Sequence, residues 1–334
     1  MSATATAAGA TATVDLVAAL PARFLGWGLA VPPTTVTNAD LERVLDTSDA
    51  WIAERTGIRE RRVVAPGDTT AALAVAAGGR ALDRAGLDAA AVDLVILATT
   101  TPDSTCPATA ATVQDRLGTA GAAFDLNAAC AGFVHALHLG AAALATPGID
   151  HVLLIGAERL TSLVDPTDRG TAILFGDGAG AVLLARSDRG AAGPGLLGVD
   201  LGGDGSAVAS LEVPPGERYL RMDGQEVFRR ATRGMVESCR AAMAQAGADA
   251  ADVDLFVPHQ ANLRIIDATA SRLGIAADRV VVNLDRYGNT SAASVPIALA
   301  EAADDGRLAP GTVALTCGVG AGMAWATAVL RWGE

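Results

Sequence analysis

The chain contains no lysine. All 25 of its basic residues are arginine, set against 37 acidic ones, and the formal net charge is -12 over 334 residues. A surface able to grip a polyanion is therefore missing, which argues against a general nucleic-acid or anionic-membrane binder. Cysteine is scarce as well. The four present (Cys106, Cys130, Cys239, Cys317) form no C-x-x-C pair, and none of the four histidines has the spacing to a cysteine of a zinc site. No disulfide framework and no metal site are expected; reduced thiols and the cytoplasm are. No apolar run approaches the roughly 18 residues that cross a bilayer. The stretch from Met1 to Leu20 is rich in Ala and Thr but carries no positive charge, so it fits neither a secretory signal nor a transit peptide and reads as a disordered tail.

What is present is apolar: 51% of the residues are hydrophobic and 19% charged, enough for two domains or one large core of two similar halves. A long-range repeat favours the second. Ala81–Thr100 reads ALDRAGLDAAAVDLVILATT and Ala242–Gln260 reads AMAQAGADAADVDLFVPHQ; aligning Asp93 with Asp254 gives an offset of 161 residues. That offset places Val152 on Val313 and the segment around Cys130 on the segment around Ser291. Each half alternates apolar, β-branched runs with Ala-rich helices, which predicts α/β layers with largely parallel strands. Runs without a polar face, such as LVILAT and VALTC, predict sheets covered on both sides. The expected organisation is a tail over 1–20 and two α/β halves over 21–190 and 191–334, with a site where they meet.

Within the first half, FDLNAACAGFVHALHLGAAAL places Cys130 between an apolar run and a helix of small residues. Asn127 is positioned to cap that helix. A cysteine in the first helical turn feels about half a positive charge from the helix dipole, which predicts a lowered pKa and a nucleophilic thiolate. The same pattern suits a buried, inert thiol. Cys239 reads as mid-helix, Cys317 as part of a buried strand, and Cys106, before Pro107, as a loop residue able to line a pocket. In the second half, VPHQANLRII sets His259 at the C-terminal tip of a strand, where α/β sheets gather their functional groups. His135 and His138 fall on a helix and His151 at a strand start, without assigned roles. Opposite the Cys130 turn, RYGNTSAASVP puts Asn289 in a turn before a helix, a position that also suits a simple turn former.

Taken in order, AACAGF, VPHQAN and YGNTSAAS resemble the Cys-His-Asn motifs of the β-ketoacyl-acyl-carrier-protein synthase III family. TSDAWIAERTGIRERR (47–62), DPTDRGTAILFGDGAGA (165–181) and GVGAGMAW (318–325) extend the resemblance from about residue 23 to the C-terminus. The resemblance implies the thiolase fold, a five-layer αβαβα duplicate, and a homodimer. It implies that Cys130 takes an acyl group from an acyl-CoA, and that His259 and Asn289 hold the thioester carbonyl of a malonyl-acyl-carrier protein while it loses CO2. The carbanion then attacks acyl-Cys130, with no cofactor. By the same resemblance Trp51, Arg55 and Arg169 hold the adenine end of coenzyme A. Gly224, Phe228, Ala261 and Asn262 line the pantetheine tunnel. Cys106 and Phe175 line the acyl pocket, and the backbone N–H groups of Cys130 and Ala321 form an oxyanion hole.

One basic cluster stands out from the residues themselves. Arg229, Arg230 and Arg233 crowd EVFRRATRG, with Arg264 as a possible extension, and a basic spot on an acidic protein suits an acidic carrier protein; a solvated helix face shows the same pattern. Two positions depart from the family pattern: Ala321 between Gly320 and Gly322 restricts φ, and Cys106 replaces a bulky aromatic gate. A related acyltransferase or starter-loading enzyme of a specialised pathway, a silent partner subunit, and the chalcone-synthase-like enzymes are the alternatives.

Overall fold

The computed structural model describes residues 20–187 and 193–333. The expected tail, apart from Leu20, and the expected boundary between the halves lie outside the described residues. The first half runs β1 (Leu20–Ala30), α1 (Asp49–Thr56), α2 (Thr70–Ala85), β2 (Leu94–Ala98), α3 (Thr109–Leu117), β3 (Ala122–Leu126), α4 (Gly132–Ala143), β4 (His151–Arg159) and β5 (Asp177–Arg186). The second runs β6 (Gly195–Gly203), α5 (Gly224–Ala246), β7 (Leu255–Pro258), α6 (Leu263–Leu273), α7 (Ser294–Asp304), β8 (Val313–Gly320) and β9 (Ala324–Arg331).

Two sheets result, β3-β2-β4-β5-β1 and β6-β9-β8-β7, joined where Leu20 and Pro21 of β1 pair with Leu196 and Gly195 of β6. Helices α2 and α3 cover the outer face of the first sheet and α5 and α6 that of the second, while α4 and α7 lie between the sheets. This is the expected five-layer αβαβα duplicate. The composition of each helix follows its layer. Helix α2 buries Ala74, Ala77, Ala81 and Leu82 along one face, as a surface helix does. Helix α7 buries eight of its eleven residues, because a helix between two sheets has no solvent face.

The duplication is visible in hydrogen bonds. Asp93 Oδ2 accepts from the His151 N–H at the start of β4, and Asp254 Oδ2 accepts from the Val313 N–H at the start of β8. His151, not Val152, is therefore the counterpart of Val313, one residue from the sequence alignment. Uniformly apolar strands carry no mark of register, so a slip of one residue goes unseen in sequence. The expectation of largely parallel strands is also corrected. Among the described strands of these sheets β2–β3, β2–β4 and β7–β8 are parallel, whereas β1–β5, β4–β5, β8–β9, β6–β9 and β1–β6 are antiparallel. Continuous apolar runs report burial on both faces; they do not encode direction.

Arg61 fastens the segments that border the site. Its side chain is buried with no ion-pair partner among the described residues, and burial lowers its pKa to about 10, against a smaller opposing effect of the Glu60 charge. The guanidinium donates to Val36 O (3.1 Å), to Asn38 Oδ1 (3.0 Å) and to Ile173 O (2.7 Å). Arg61→Met is expected to strand these three acceptors and to lower stability by about 3 kcal/mol, seen as an earlier midpoint in urea unfolding.

Candidate active site

A cavity of about 690 Å³ opens where the halves meet, and Cys130, His259 and Asn289 all line it. Cys130 sits in the tight turn Ala129–Ala131 that leads into α4. Ala129 is left-handed (φ 47°), and its N–H donates to Asn127 Oδ1 at 3.1 Å. Asn127 thus caps the turn rather than the helix. The second half repeats this device: Ser291 is left-handed (φ 49°), and its N–H donates to Asn289 Oδ1 at 2.9 Å. Because Asn289 Oδ1 is engaged by the backbone, its Nδ2 amino group remains as the donor.

His259 follows the end of β7, and its N–H donates to Cys317 O at 2.7 Å. The ring Nδ1 lies 2.6 Å from Ser294 Oγ, at the first residue of α7. Ser294 Oγ also accepts from the Gln260 N–H at 3.4 Å. Burial pushes the His259 pKa down to about 3. The imidazole is therefore neutral at physiological pH.

The expected lowering of the Cys130 pKa is not observed. Burial pushes it up to about 12; a Ser291 hydrogen bond pulls the other way, and the charge of Glu158 raises it further. Loss of water around a buried sulfur disfavours the charged thiolate. Gly320 and Gly318 bring β8 onto this turn. A Cβ on Gly320 would stand 2.5 Å from Cys130 N, and one on Gly318 would stand 2.8 Å from Ala131 Cα. Ala321 also lines the cavity. Its φ is not positive, since that conformation falls on Gly322 (φ 128°), so alanine is accommodated without strain.

Gly224, Phe228, Ala261, Asn262 and Phe175 line the cavity as expected. Trp51, Arg55 and Arg169 cluster just outside it. The Arg55 and Arg169 guanidinium carbons lie 4.8 and 4.9 Å from the Trp51 ring centroid, and Asn262 Nδ2 donates to Arg55 O at 3.1 Å. Cys106 is exposed and is not among the residues that line the cavity of the single chain. Its loop is held toward α2 by Asp103, whose carboxylate accepts from the N–H groups of Thr70 and Ala71. The arginine cluster is corrected in part. Arg229 pairs with Glu226, Arg230 with Glu226 and Asp204, and Arg233 with Glu237, which cancels most of the expected positive field. Arg264 has no acidic partner among the described residues; its guanidinium lies 5.8 Å from the Phe228 ring.

Sequence reasoning missed Ser294, Ser291 and Glu158. The glutamate that ends the apolar run VLLIGA was the one available signal; for Ser291, and for Ser294, whose partners His259 and Gln260 lie 35 and 34 residues earlier in the chain, there was none.

Comparison with known proteins agrees with this geometry. Residues 124–205 match a family described as 3-oxoacyl-[acyl-carrier-protein (ACP)] synthase III, and residues 243–332 match the C-terminal part of the same family. The chain is 50% identical over 323 residues to the β-ketoacyl-[acyl-carrier-protein] synthase III of Roseiflexus sp. strain RS-1, covering 93% of this chain and 98% of that one. It is similar to the crystal structure of 3-oxoacyl-[acyl-carrier-protein] synthase III from Aquifex aeolicus, with TM-score 0.90, 43% identity and coverage of 93% and 100%. It is also similar to the priming β-ketosynthase of a polyketide biosynthetic pathway, with TM-score 0.87, 40% identity and coverage of 94% and 97%. A paired cysteine, histidine and asparagine between two duplicated halves, and half-identity over nearly the whole length, place this chain in the β-ketoacyl-acyl-carrier-protein synthase III family, whose members are condensing acyltransferases of the thiolase fold.

Proposed function

We propose that Cys130 is the acylated nucleophile of this condensing enzyme and that His259 and Asn289 are its two carbonyl donors. The observation that carries the assignment is the convergence of Cys130, His259 and Asn289 on one cavity, with His259 Nδ1 held at Ser294 Oγ and Asn289 Oδ1 held by the Ser291 N–H; Nε2 and Nδ2 are then the donors. The enzyme catalyses decarboxylative condensation of an acyl-CoA primer with malonyl-acyl-carrier protein, initiating a chain. Acyl transfer to Cys130 releases coenzyme A. Malonyl thioester then loses CO2, and the negative charge that builds on its carbonyl oxygen is met by the two neutral donors. Donors fixed in advance in a water-poor site favour that enolate over the ground state. The carbanion forms a carbon–carbon bond to the acyl carbon, the Cys130 sulfur leaves, and one proton from solvent restores the thiol. No electrons are exchanged with a redox partner, so this chemistry calls for no cofactor. The N–H groups of Cys130 and Ala321 serve the oxyanion of each tetrahedral intermediate.

Trp51, Arg55 and Arg169 form the outer coenzyme A site, where an adenine ring displaces a guanidinium from the Trp51 face. Arg264, the cation of its group without an acidic partner, is the leading contact for the carrier's phosphopantetheine. The likeness to a priming ketosynthase supports initiation of polyketide as well as fatty acid chains. A second copy would cover the edge strand β3, where Phe124 is exposed, giving a homodimer. A catalytic thiol that must stay reduced supports a cytoplasmic site of action.

Asn289→Ala is expected to slow decarboxylation by about 10² to 10³-fold while acyl loading, read as mass gain on Cys130, changes far less. Cys130→Ala is expected to gain no acyl mass from any acyl-CoA; acylation elsewhere on the chain would refute the nucleophile assignment. Decarboxylation is expected to stay flat from about pH 5 to 8, because a histidine with its pKa near 3 gains no proton there. A step near pH 6.5 in the pH–rate profile would contradict the neutral donor. Trp51→Ala is expected to raise KM for acyl-CoA by about tenfold with little change in kcat.

A further inference from the structure

Glu158, the last residue but one of β4, is fully buried against the Thr99-Thr100-Thr101 run that follows β2. Its carboxylate accepts from the Thr99 hydroxyl at 3.3 Å and from the Thr101 hydroxyl at 2.6 Å. Thr100 is held twice: its N–H lies 3.1 Å from both carboxylate oxygens, and its hydroxyl lies 2.9 and 3.0 Å from them. Thr99 and Thr101 are buried, whereas Thr100 is partly exposed and lines the cavity. Strand register brings Thr100 to the nucleophile turn. Ala98 stands opposite Leu126 of β3, and the Thr99 N–H donates to Leu126 O at 3.1 Å. Thr100 therefore leaves the sheet beside Asn127 and Ala128, which also line the cavity just before Cys130. Leu160, Leu163, Leu174 and Phe175 line the same cavity from one apolar cluster. A threonine carries a hydroxyl and a methyl on one carbon. The Thr100 hydroxyl is turned to Glu158, which is not part of the cavity wall, so the branch left for the cavity is the methyl.

We propose that Glu158 is a positioning residue for primer selection: by holding the Thr100 hydroxyl it turns a methyl toward the acyl chain carried on Cys130, and so favours a hydrocarbon chain over acetyl. A primer longer than acetyl lays its methylenes along this wall. A hydroxyl released into the cavity would lose its water to that chain and find no partner there, a cost that falls on the longer primer. Acetyl, with a single methyl beyond its carbonyl, covers less of the wall and is less sensitive. Glu158 touches neither primer nor sulfur and acts only through Thr100. Arg159 holds the neighbouring turn independently, its N–H donating to Thr101 Oγ1 at 2.9 Å and its guanidinium to Asp103 Oδ1 at 3.3 Å, which keeps the segment in place when Glu158 is changed. The inference rests on Cys130 being the acylated residue.

The test compares wild type, Glu158→Met, Thr100→Val and the double variant as full chains. Each is incubated with an equimolar mixture of acetyl-CoA and butyryl-CoA, and the two acyl forms of Cys130 are measured by peptide mass spectrometry before loading is complete. Their ratio reports relative kcat/KM and does not depend on how much of a variant is folded. Glu158→Met removes both acceptor oxygens and is expected to lower the butyryl-to-acetyl ratio about tenfold. Thr100→Val has no hydroxyl to release, so its ratio is expected to stay within about threefold of wild type, and the double variant to match Thr100→Val. A Glu158 that only supports the fold would slow loading of both primers and leave the ratio unchanged, which overturns the proposal. A double variant as deficient as Glu158→Met, or a shift of about tenfold in Thr100→Val alone, overturns it as well, since the hydroxyl would then not be what Glu158 controls. Thr100→Val keeps the side-chain shape and leaves the test decisive if Glu158→Met fails to fold. If wild type gains no acyl mass on Cys130, the nucleophile assignment falls and this inference with it.

Discussion

Two left-handed residues that are not glycine, Ala129 and Ser291, set the position of the groups around this cavity. Such a conformation costs on the order of 1 kcal/mol or more per residue and persists only where the surroundings impose it. Here an asparagine two residues earlier takes the N–H of each, and the two turns pack against one another across the pseudo-symmetric halves. The end of β8 lies so close that Gly318 and Gly320 leave no room for a side chain. Cys130, Asn289 and the strand end are therefore fixed as one unit. The device that shapes the turn also engages the oxygen of Asn289, which leaves its amino group as the donor.

Burial gives the site its electrical character. The same loss of water pushes the Cys130 thiol up and the His259 imidazole down, so both residues rest uncharged. In a low-dielectric cavity, neutral N–H donors meet a developing oxyanion more strongly than they would in water. Arg55, Arg169 and Arg264 stand at the rim, and Glu158 is enclosed beneath the turns by three threonines.

The duplication explains how one chain supplies both kinds of chemistry. Asn127 and Asn289 occupy equivalent capping positions, yet the first precedes the nucleophile turn and the second serves as a donor. The helices that follow them, α4 and α7, fill the layer between the sheets. Positions equivalent in backbone have diverged in role without disturbing the layers that carry them.

The chain order of the segments around Cys130, His259 and Asn289 and the two α/β halves were legible from the residues, whereas the five layers and the joint role of the three residues came only with the family resemblance. Turn chemistry, apolar runs and the paired aspartates Asp93 and Asp254 are local signals, written within a few positions. Strand direction, the one-residue register of β4 against β8, the outward setting of Cys106 and the neutralised arginines of α5 were decided only by the tertiary structure. So were the protonation states of Cys130 and His259 and the partners Ser294, Ser291 and Glu158. These depend on which distant groups approach and on how much water they exclude, and a pattern of neighbours along the chain records neither.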